Sequence, residues 1–145
     1  MTDDEEFIPE PPEGFVRTAN RGPFSTRNGP MFHKTPGPDD PFTHQAFYAL
    51  PRHANGFGLV HGGMLTAFMD GLLGGAAFRA SGKSGVTIHL SVDFLHMARA
   101  GEWVVGESRA TRVTRDVVFV EGRAYVGQRD VIRASGIFKL MHKDA

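Results

Sequence analysis

The chain has no cysteine among its 145 residues. Disulfide bonds, thiolate metal sites and a cysteine nucleophile are therefore excluded, and a reducing compartment is the expected environment. The N-terminus, MTDDEEF, is acidic where a secretory signal would be basic and then apolar. We therefore predict a cytoplasmic protein.

The chain also has no net charge, with 16 basic and 16 acidic residues. Six of the acids precede Arg17, which leaves the remainder with an excess of six positive charges. Such a body would attract an anionic ligand, although arginines scattered over solvated strands produce the same excess. No dense basic block or aromatic-rich recognition motif accompanies the arginines, so we expect no nucleic acid partner.

Long hydrophobic runs are scarce, and only residues 62–80 approach the length of a membrane span. This segment contains Asp70, Arg79 and five glycines, which a membrane span would rarely tolerate. Its alanine, leucine and methionine content favours a long buried helix of a soluble protein. We therefore predict no membrane partner.

Small residues recur inside this predicted helix. Glycine is costly in a helix interior, so each one requires a reason. We expect a stripe at which another backbone approaches closely, made of Ala67, Gly71, Gly74 and Gly75.

The chain length suits a single domain with one core. Residues 1–14 combine carboxylates with three prolines and are expected to form a disordered tail before a domain over residues 15–145. Between residues 17 and 41, glycine and proline leave room for one short extended piece around Met31–Lys34. The stretch HQAFYALPR then predicts a second strand.

Four runs with strand-like alternation follow the predicted helix. In the first, Thr87 falls on the same face as His89, Ser91 and Asp93. Short turns between the runs suit antiparallel neighbours, so we predict a four-stranded meander. The predicted fold class is α+β, with the helix packed on one face of the sheet. The four runs are VTIHLSVDFL, EWVVGESRATRV, VVFVEGRAYV and VIRASGIFKLM.

Motifs for several other chemistries are absent or incomplete. AFRASGKS approaches a phosphate-binding loop, but Ala77 replaces its first glycine and the segment follows a helix. GFGLVH lacks the last glycine of a dinucleotide fingerprint. HExxH and GxSxG do not occur, and the seven histidines are dispersed. We expect neither a metal ion nor a separate cofactor.

A polar and glycine-rich set gathers where the helix is predicted to begin. Its members are Asn55, His61, Gly62, Gly63 and Asp70. The first four have ordinary explanations as a turn, a helix cap or flexible backbone. Asp70 is harder to explain in this way, because a carboxylate inside an apolar run is costly to desolvate unless it has a partner. Considered alone, it is still best explained by a structural hydrogen bond or an exposed position.

In identity and spacing, this set resembles the hotdog-fold acyl-CoA thioesterases of the phenylacetic-acid-degradation (PaaI-like) type. The resemblance covers roughly Met31 to Met141. It includes the stretch VTIHLSVDFLHMARAGE, where the family typically has a threonine, then five to seven other residues, and then Phe-Leu-Arg-Pro. His96 and Met97 stand in place of that arginine and proline. The resemblance implies a hotdog fold, in which a long central helix packs on a curved antiparallel sheet.

The resemblance also implies hydrolysis of the thioester bond of an acyl-CoA or aryl-CoA. Asp70 would act as general base on water, or as nucleophile, at the thioester carbonyl. The Gly62 backbone N–H would stabilise the oxyanion at the helix N-terminus. Asn55 would hold water or Asp70, His61 would shape the oxyanion end and Thr87 would orient the water. CoA belongs to the substrate, so no further cofactor is implied.

The expected partners are the substrate and a second copy of the chain. Nine residues separate His61 from Asp70, which corresponds to about 13 Å of helix rise and about half a turn. One thioester cannot easily reach both, so we expect a homodimer or a dimer of dimers with active sites at the subunit interface. The residues expected to bind substrate are Phe57, Leu59, Gly63, Met64 and Phe68.

Two alternatives share the predicted fold. One is a non-catalytic module that binds or senses acyl-CoA, against which the intact candidate base Asp70 argues. The other is a hotdog dehydratase or hydratase, which would use a different spacing of histidine and carboxylate. Fold alone does not separate the three.

Overall fold

The computed structural model describes residues 6–19 and 21–142. The apolar run forms the helix α2, Gly62–Ser81, as predicted. His61 caps its N-terminus, and Gly82 ends it in the left-handed conformation that glycine adopts without a steric penalty. Within the described part of the chain, no helix is long and apolar enough to cross a membrane.

One antiparallel sheet packs against α2, which confirms the α+β class. The main core lies between this helix and the sheet, where Phe47, Leu72 and Val104 are fully buried. The short helix α1, Pro23–Asn28, and a 3-10 turn, Pro51–His53, complete the regular structure of the described residues. The seven strands are β1 Val16–Arg17, β2 Phe32–Lys34, β3 Thr43–Tyr48, β4 Gly85–Phe94, β5 Trp103–Val113, β6 Val117–Val126 and β7 Arg129–Leu140.

The strand order differs from the predicted meander. The order across the sheet is β1-β2-β3-β5-β6-β7-β4, so β4 pairs with β7 at one edge and β5 pairs with β3 and β6. The prediction that β4 and β5 are neighbours is therefore wrong. The reason lies in the chain between them, where Ala98 accepts a hydrogen bond from Val60 and Leu59 bridges to Arg99. This segment pairs with the loop before α2 and does not form a hairpin.

The region before α2 contains more regular structure than the sequence indicated. Helix α1 was not predicted, and the second predicted strand ends at Tyr48. Proline accounts for both differences, because its fixed φ and missing N–H favour the first turn of a helix and disfavour a ladder position. Pro23 begins α1, and Pro51 begins the 3-10 turn.

The N-terminal segment covers part of the opposite sheet face. Phe15, Phe32 and Ala46 form a second buried cluster, and Ile8 and Trp103 pack against it. The expectation of a tail with little to bury is therefore wrong for the stretch around Ile8. Residues 1–5 of that expected tail lie outside the described residues.

Candidate active site

Asp70 has a direct hydrogen-bond partner on the sheet. The Thr87 hydroxyl donates to Asp70 Oδ1 at 2.5 Å. Asp70 is half-buried on the middle of α2, whereas Thr87 is exposed on the edge strand β4. The carboxylate therefore lies at the boundary of the core, partly solvated and partly bonded, so its desolvation is limited.

A β-bulge sets the direction of the Thr87 side chain. The β4–β7 register shifts between Thr87 and His89. Beyond the bulge Leu90 packs on the core, whereas Asp93 lines a groove on the opposite sheet face. Thr87 therefore faces the helix, and its predicted place on the face of Asp93 is wrong. One extra residue reverses the alternation, which sequence periodicity does not reveal.

Asp70 and Thr87 open onto a crevice of about 770 Å³ that runs alongside α2. One wall consists of residues from α2 and the other comes from α1, from the start of β4 and from the sheet below. The lining includes Phe24, Met31, Gln45, Met64, Ala67, Phe68, Gly71, Gly74, Gly75, Phe78, Val86 and Phe138. An apolar recess with a few polar groups suits the binding of an organic ligand.

The small-residue stripe of α2 lines this crevice and lets side chains of the sheet below approach the helix closely. A Cβ at Gly75 would lie 2.9 Å from Gln45 Nε2, and one at Gly74 would lie 3.4 Å from the Phe138 ring. The close approach expected from the stripe is therefore made by side chains of the sheet, not by another backbone.

The backbone N–H groups at the N-terminus of α2 differ in whether a group of the protein accepts their hydrogen bonds. His61 Nδ1 accepts a hydrogen bond from the Gly63 N–H at 2.8 Å. A Cβ at Gly63 would lie 2.8 Å from the same nitrogen, so glycine is needed for this cap. Among the described residues the Gly62 N–H has no acceptor, which leaves it available to an anionic atom at the positive end of the helix.

His61 and Asp70 border different spaces within one chain. His61 and Gly63 line a smaller recess of about 250 Å³, whereas Asp70 lines the crevice. Phe24 and Met64 border both spaces. Within one chain, the His61 end and the Asp70 end of the predicted site are therefore connected only through the residues that line both spaces.

Asn55 has a structural role in the loop before α2. Its side-chain oxygen accepts hydrogen bonds from the N–H groups of Phe57 at 2.9 Å and Leu59 at 3.2 Å. This is the turn-forming geometry typical of asparagine. Phe57 is 87% exposed at the tip of the loop, and Leu59 bridges to Arg99. Neither borders the crevice of its own chain.

Of the other three residues predicted to bind substrate, Met64 and Phe68 border the crevice, whereas Gly63 lines only the smaller recess. Met64 lines both the crevice and the smaller recess. Phe68 is 1% exposed and packs on Phe47 with ring centroids 4.9 Å apart, so it belongs mainly to the core.

The sequence analysis did not predict helix α1, which forms part of one wall of the crevice, or the contacts that hold this helix in place. Phe24 reaches the crevice from a stretch whose glycines and prolines indicate only turns, and Met31 reaches it from the start of the predicted extended piece. Pro23, which favours the first helical position, was the available signal for this helix. Within the described residues, no group of three or more histidine, aspartate or glutamate side chains is placed to hold a metal ion.

Comparison with known proteins identifies the family. A model described as the thioesterase superfamily matches residues 57–132, more than half of the chain. The chain belongs to the thioesterase superfamily. The predicted hotdog fold and the assignment as a thioester hydrolase are confirmed at this level.

Relatives extend over nearly the whole chain. The protein named "Putative esterase PA0474" from Pseudomonas aeruginosa is 34% identical over 134 residues, covering 89% of this chain and 96% of that protein. A phenylacetic acid degradation-related protein of Ralstonia eutropha JMP134 has a TM-score of 0.73 at 24% identity, covering 83% of this chain and 92% of that one. A thioesterase protein of Streptococcus pneumoniae TIGR4, solved with coenzyme A, has a TM-score of 0.66 at 18% identity, covering 73% and 86%. These two structures share the fold.

Proposed function

We propose that this protein hydrolyses the thioester bond of an acyl-CoA or aryl-CoA to the free acid and CoA. The observation that carries the proposal is the Thr87–Asp70 hydrogen bond in the wall of a crevice lined mainly by apolar residues and glycines, with a few further polar side chains such as Asn28 and Gln45. Because Thr87 donates to Asp70, its oxygen lone pairs remain available to accept a hydrogen bond from a water molecule. A water held between the two groups would lie beside a carboxylate able to act as a base.

The reaction needs only groups of this protein and the substrate. Asp70 takes a proton from water while the water oxygen attacks the thioester carbonyl carbon. The Gly62 N–H donates to the carbonyl oxygen as negative charge develops there. The C–S bond then breaks, the CoA thiolate leaves, and the proton held by Asp70 is returned to sulfur or to solvent. CoA enters and leaves as part of the substrate, and no separate cofactor is used.

We propose further that two copies of the chain build each site. Among the residues that the structure describes, strand β4 has β7 on one side and no strand on the other, and such an edge readily pairs with another strand. The apolar side chains of Val86 and Ile88 on β4 are 48% and 56% exposed. Pairing of two such edges would cover them and bring the Asp70 of one copy towards the His61 end of the other.

A thiol-release assay over a series of acyl-CoA and aryl-CoA esters tests the function. The absence of cysteine means that the protein itself gives no thiol signal. We expect Asp70→Asn to lower turnover by about 10²- to 10⁴-fold. Thr87→Val, which removes a hydrogen bond to a charged group, should lower it by about tenfold or more.

The matched control for Asp70→Asn is Asp93→Asn. Asp93 lies on the opposite face of β4 and pairs with Arg133 at 3.1 Å on the surface. This substitution should leave turnover unchanged. Wild-type rates in Asp70→Asn would refute the mechanism, and ester binding without turnover in the wild type would favour a non-catalytic acyl-CoA module.

Hydrolysis in ¹⁸O-labelled water separates the two roles open to Asp70. With a general base, the label enters only the acid product. With a nucleophile, an acyl anhydride forms on Asp70, and attack of water on its aspartyl carbonyl places label in the carboxylate of the protein, which the next turnover passes to the acid product. We expect the protein to remain unlabelled, because the Thr87 hydroxyl already donates a hydrogen bond to Asp70 Oδ1. In that position the hydroxyl is suited to holding a water molecule beside the carboxylate.

A further inference from the structure

One wall of the crevice comes from the segment around helix α1. Arg21 lines a groove with Phe78, near the end of α2. Phe24 instead lines the recess at the start of α2, together with Met64. The segment 21–28 therefore runs antiparallel to α2 along the length of the crevice.

Phe24 and Asn28 are the residues of this wall that border both the crevice and the smaller recess, and Phe24 is the apolar one. It is 65% exposed, so its ring contributes little to the core. A large apolar side chain left over an apolar crevice is free to contact a ligand there.

Helix α1 is held by polar contacts because it buries no side chain of its own. The three carbonyl groups at its C-terminal end belong to Arg27, Asn28 and Gly29. Arg52 donates to the first at 2.8 Å and also to the third, and His53 Nε2 bonds to the second at 2.8 Å. These are the carbonyl groups that a helix end leaves without partners. We call this set of contacts the latch.

His53 is suited to the latch in its neutral form. It is 4% exposed, and burial lowers its pKa, as does the positive charge of Arg52. The Leu50 N–H donates to Nδ1 at 3.0 Å, which requires an unprotonated nitrogen there. The other nitrogen then carries the proton that is donated to Asn28.

We propose that Phe24, held by the latch, limits the length of the acyl group that the crevice accepts. The inference rests on the proposed function and adds a substrate class to it. Asp70 lies six residues from Met64 on α2, which corresponds to about 9 Å of rise. An acyl group that extends from Asp70 towards Met64 therefore meets the Phe24 ring after about that distance. The preferred substrates are therefore CoA esters of medium-length acyl groups.

The experiment measures kcat/KM for straight-chain acyl-CoA esters from C2 to C16 in the wild type, Phe24→Ala and Phe24→Trp. Removal of the ring should raise the ratio of long-chain to medium-chain kcat/KM by about tenfold or more, since one methylene in a hydrophobic pocket already changes specificity by that order. Phe24→Trp should shift the optimum to shorter chains. Phe7→Ala is the matched control, because Phe7 is 79% exposed and does not border the crevice.

Arg52→Met tests the latch as a positioning device. If Arg52 only stabilises the fold, rates for all esters fall together and the chain-length profile keeps its shape. If it positions Phe24, the profile broadens towards long chains. An unchanged profile in Arg52→Met overturns the role of the latch.

Binding separates failure of this inference from failure of the proposed function. Dissociation constants of the same esters, measured by calorimetry with Asp70→Asn and with Asp70→Asn/Phe24→Ala, do not require turnover. A wild type that hydrolyses no ester refutes the proposed function, and the binding profile still decides the role of Phe24. Phe24 variants whose chain-length profiles coincide with that of the wild type overturn the inference, whether or not the protein is a hydrolase.

Discussion

A mixed dimer can show directly whether His61 and Asp70 of different chains work together. On α2 the two positions differ by nine residues, or about 13 Å of rise and about 180° of rotation. They also border different spaces of the same chain. Each site should therefore combine the Asp70 of one copy with the His61 end of the other.

The perturbation is co-expression of His61→Ala and Asp70→Asn chains that carry different affinity tags. Two purification steps isolate the mixed dimer, and native mass spectrometry confirms its composition. By the two-fold symmetry of the dimer, one of its sites carries both substitutions and the other carries neither. If each parent variant is nearly inactive, the mixed dimer should recover about half the thiol release of a wild-type dimer.

Thr87 supplies the control for this experiment. Its hydroxyl bonds to Asp70 of the same chain, so both groups belong to one site. A mixed dimer of Asp70→Asn and Thr87→Val chains has one substitution in each site and should show no recovery. Mixed dimers of the first pair with no gain over their parents would refute the shared site and leave the role of Asp70 as a base open.

Two further predictions concern stability. Because the pKa of His53 is lowered from 6.5 by burial, the unfolded chain binds a proton more readily, and stability should fall as pH drops below about 6.5, by at most about 1.4 kcal/mol per pH unit. Urea unfolding at pH 7.5 and 5.5 should show a smaller fall in His53→Gln, and equal falls would contradict this linkage. Deletion of residues 1–14 removes Ile8 from the cluster around Phe15 and should lower stability by about 1 kcal/mol, or Tm by about 2–4 °C. The same deletion should shift the fluorescence of Trp103, the single tryptophan, to longer wavelength, whereas an unchanged Tm and spectrum would show that the segment does not dock.

The sequence predicted the elements of the fold better than their arrangement. Helix α2 follows from the length and the alanine, leucine and methionine content of its apolar run, and the strands β4 to β7 follow from residues that alternate with the period of a strand. The place of β4 at the sheet edge depends on the contact of Val60 with Ala98, which is distant in sequence. The bulge after Thr87 depends on one residue of register, and alternation cannot locate it.

The same limit applies to the candidate site. The structure brings Asp70, Thr87 and Met64 together at the crevice, and their roles stay predictions. Phe24 escaped prediction because a short helix without buried residues has no apolar periodicity. Its position depends on the hydrogen bonds of Arg52 and His53 to its last carbonyl groups, and no local pattern encodes those contacts.

The paired glycines at the start of α2 have different physical reasons. Gly63 is required by the chain itself, since a Cβ there would lie 2.8 Å from His61 Nδ1 and displace the cap. Gly62 meets no such limit, because a Cβ at that position would contact the Phe94 ring at an ordinary 3.5 Å. Its N–H has no acceptor among the described residues. We therefore propose that the reason for Gly62 lies outside the single chain, where a thioester oxygen and a second copy would approach the helix.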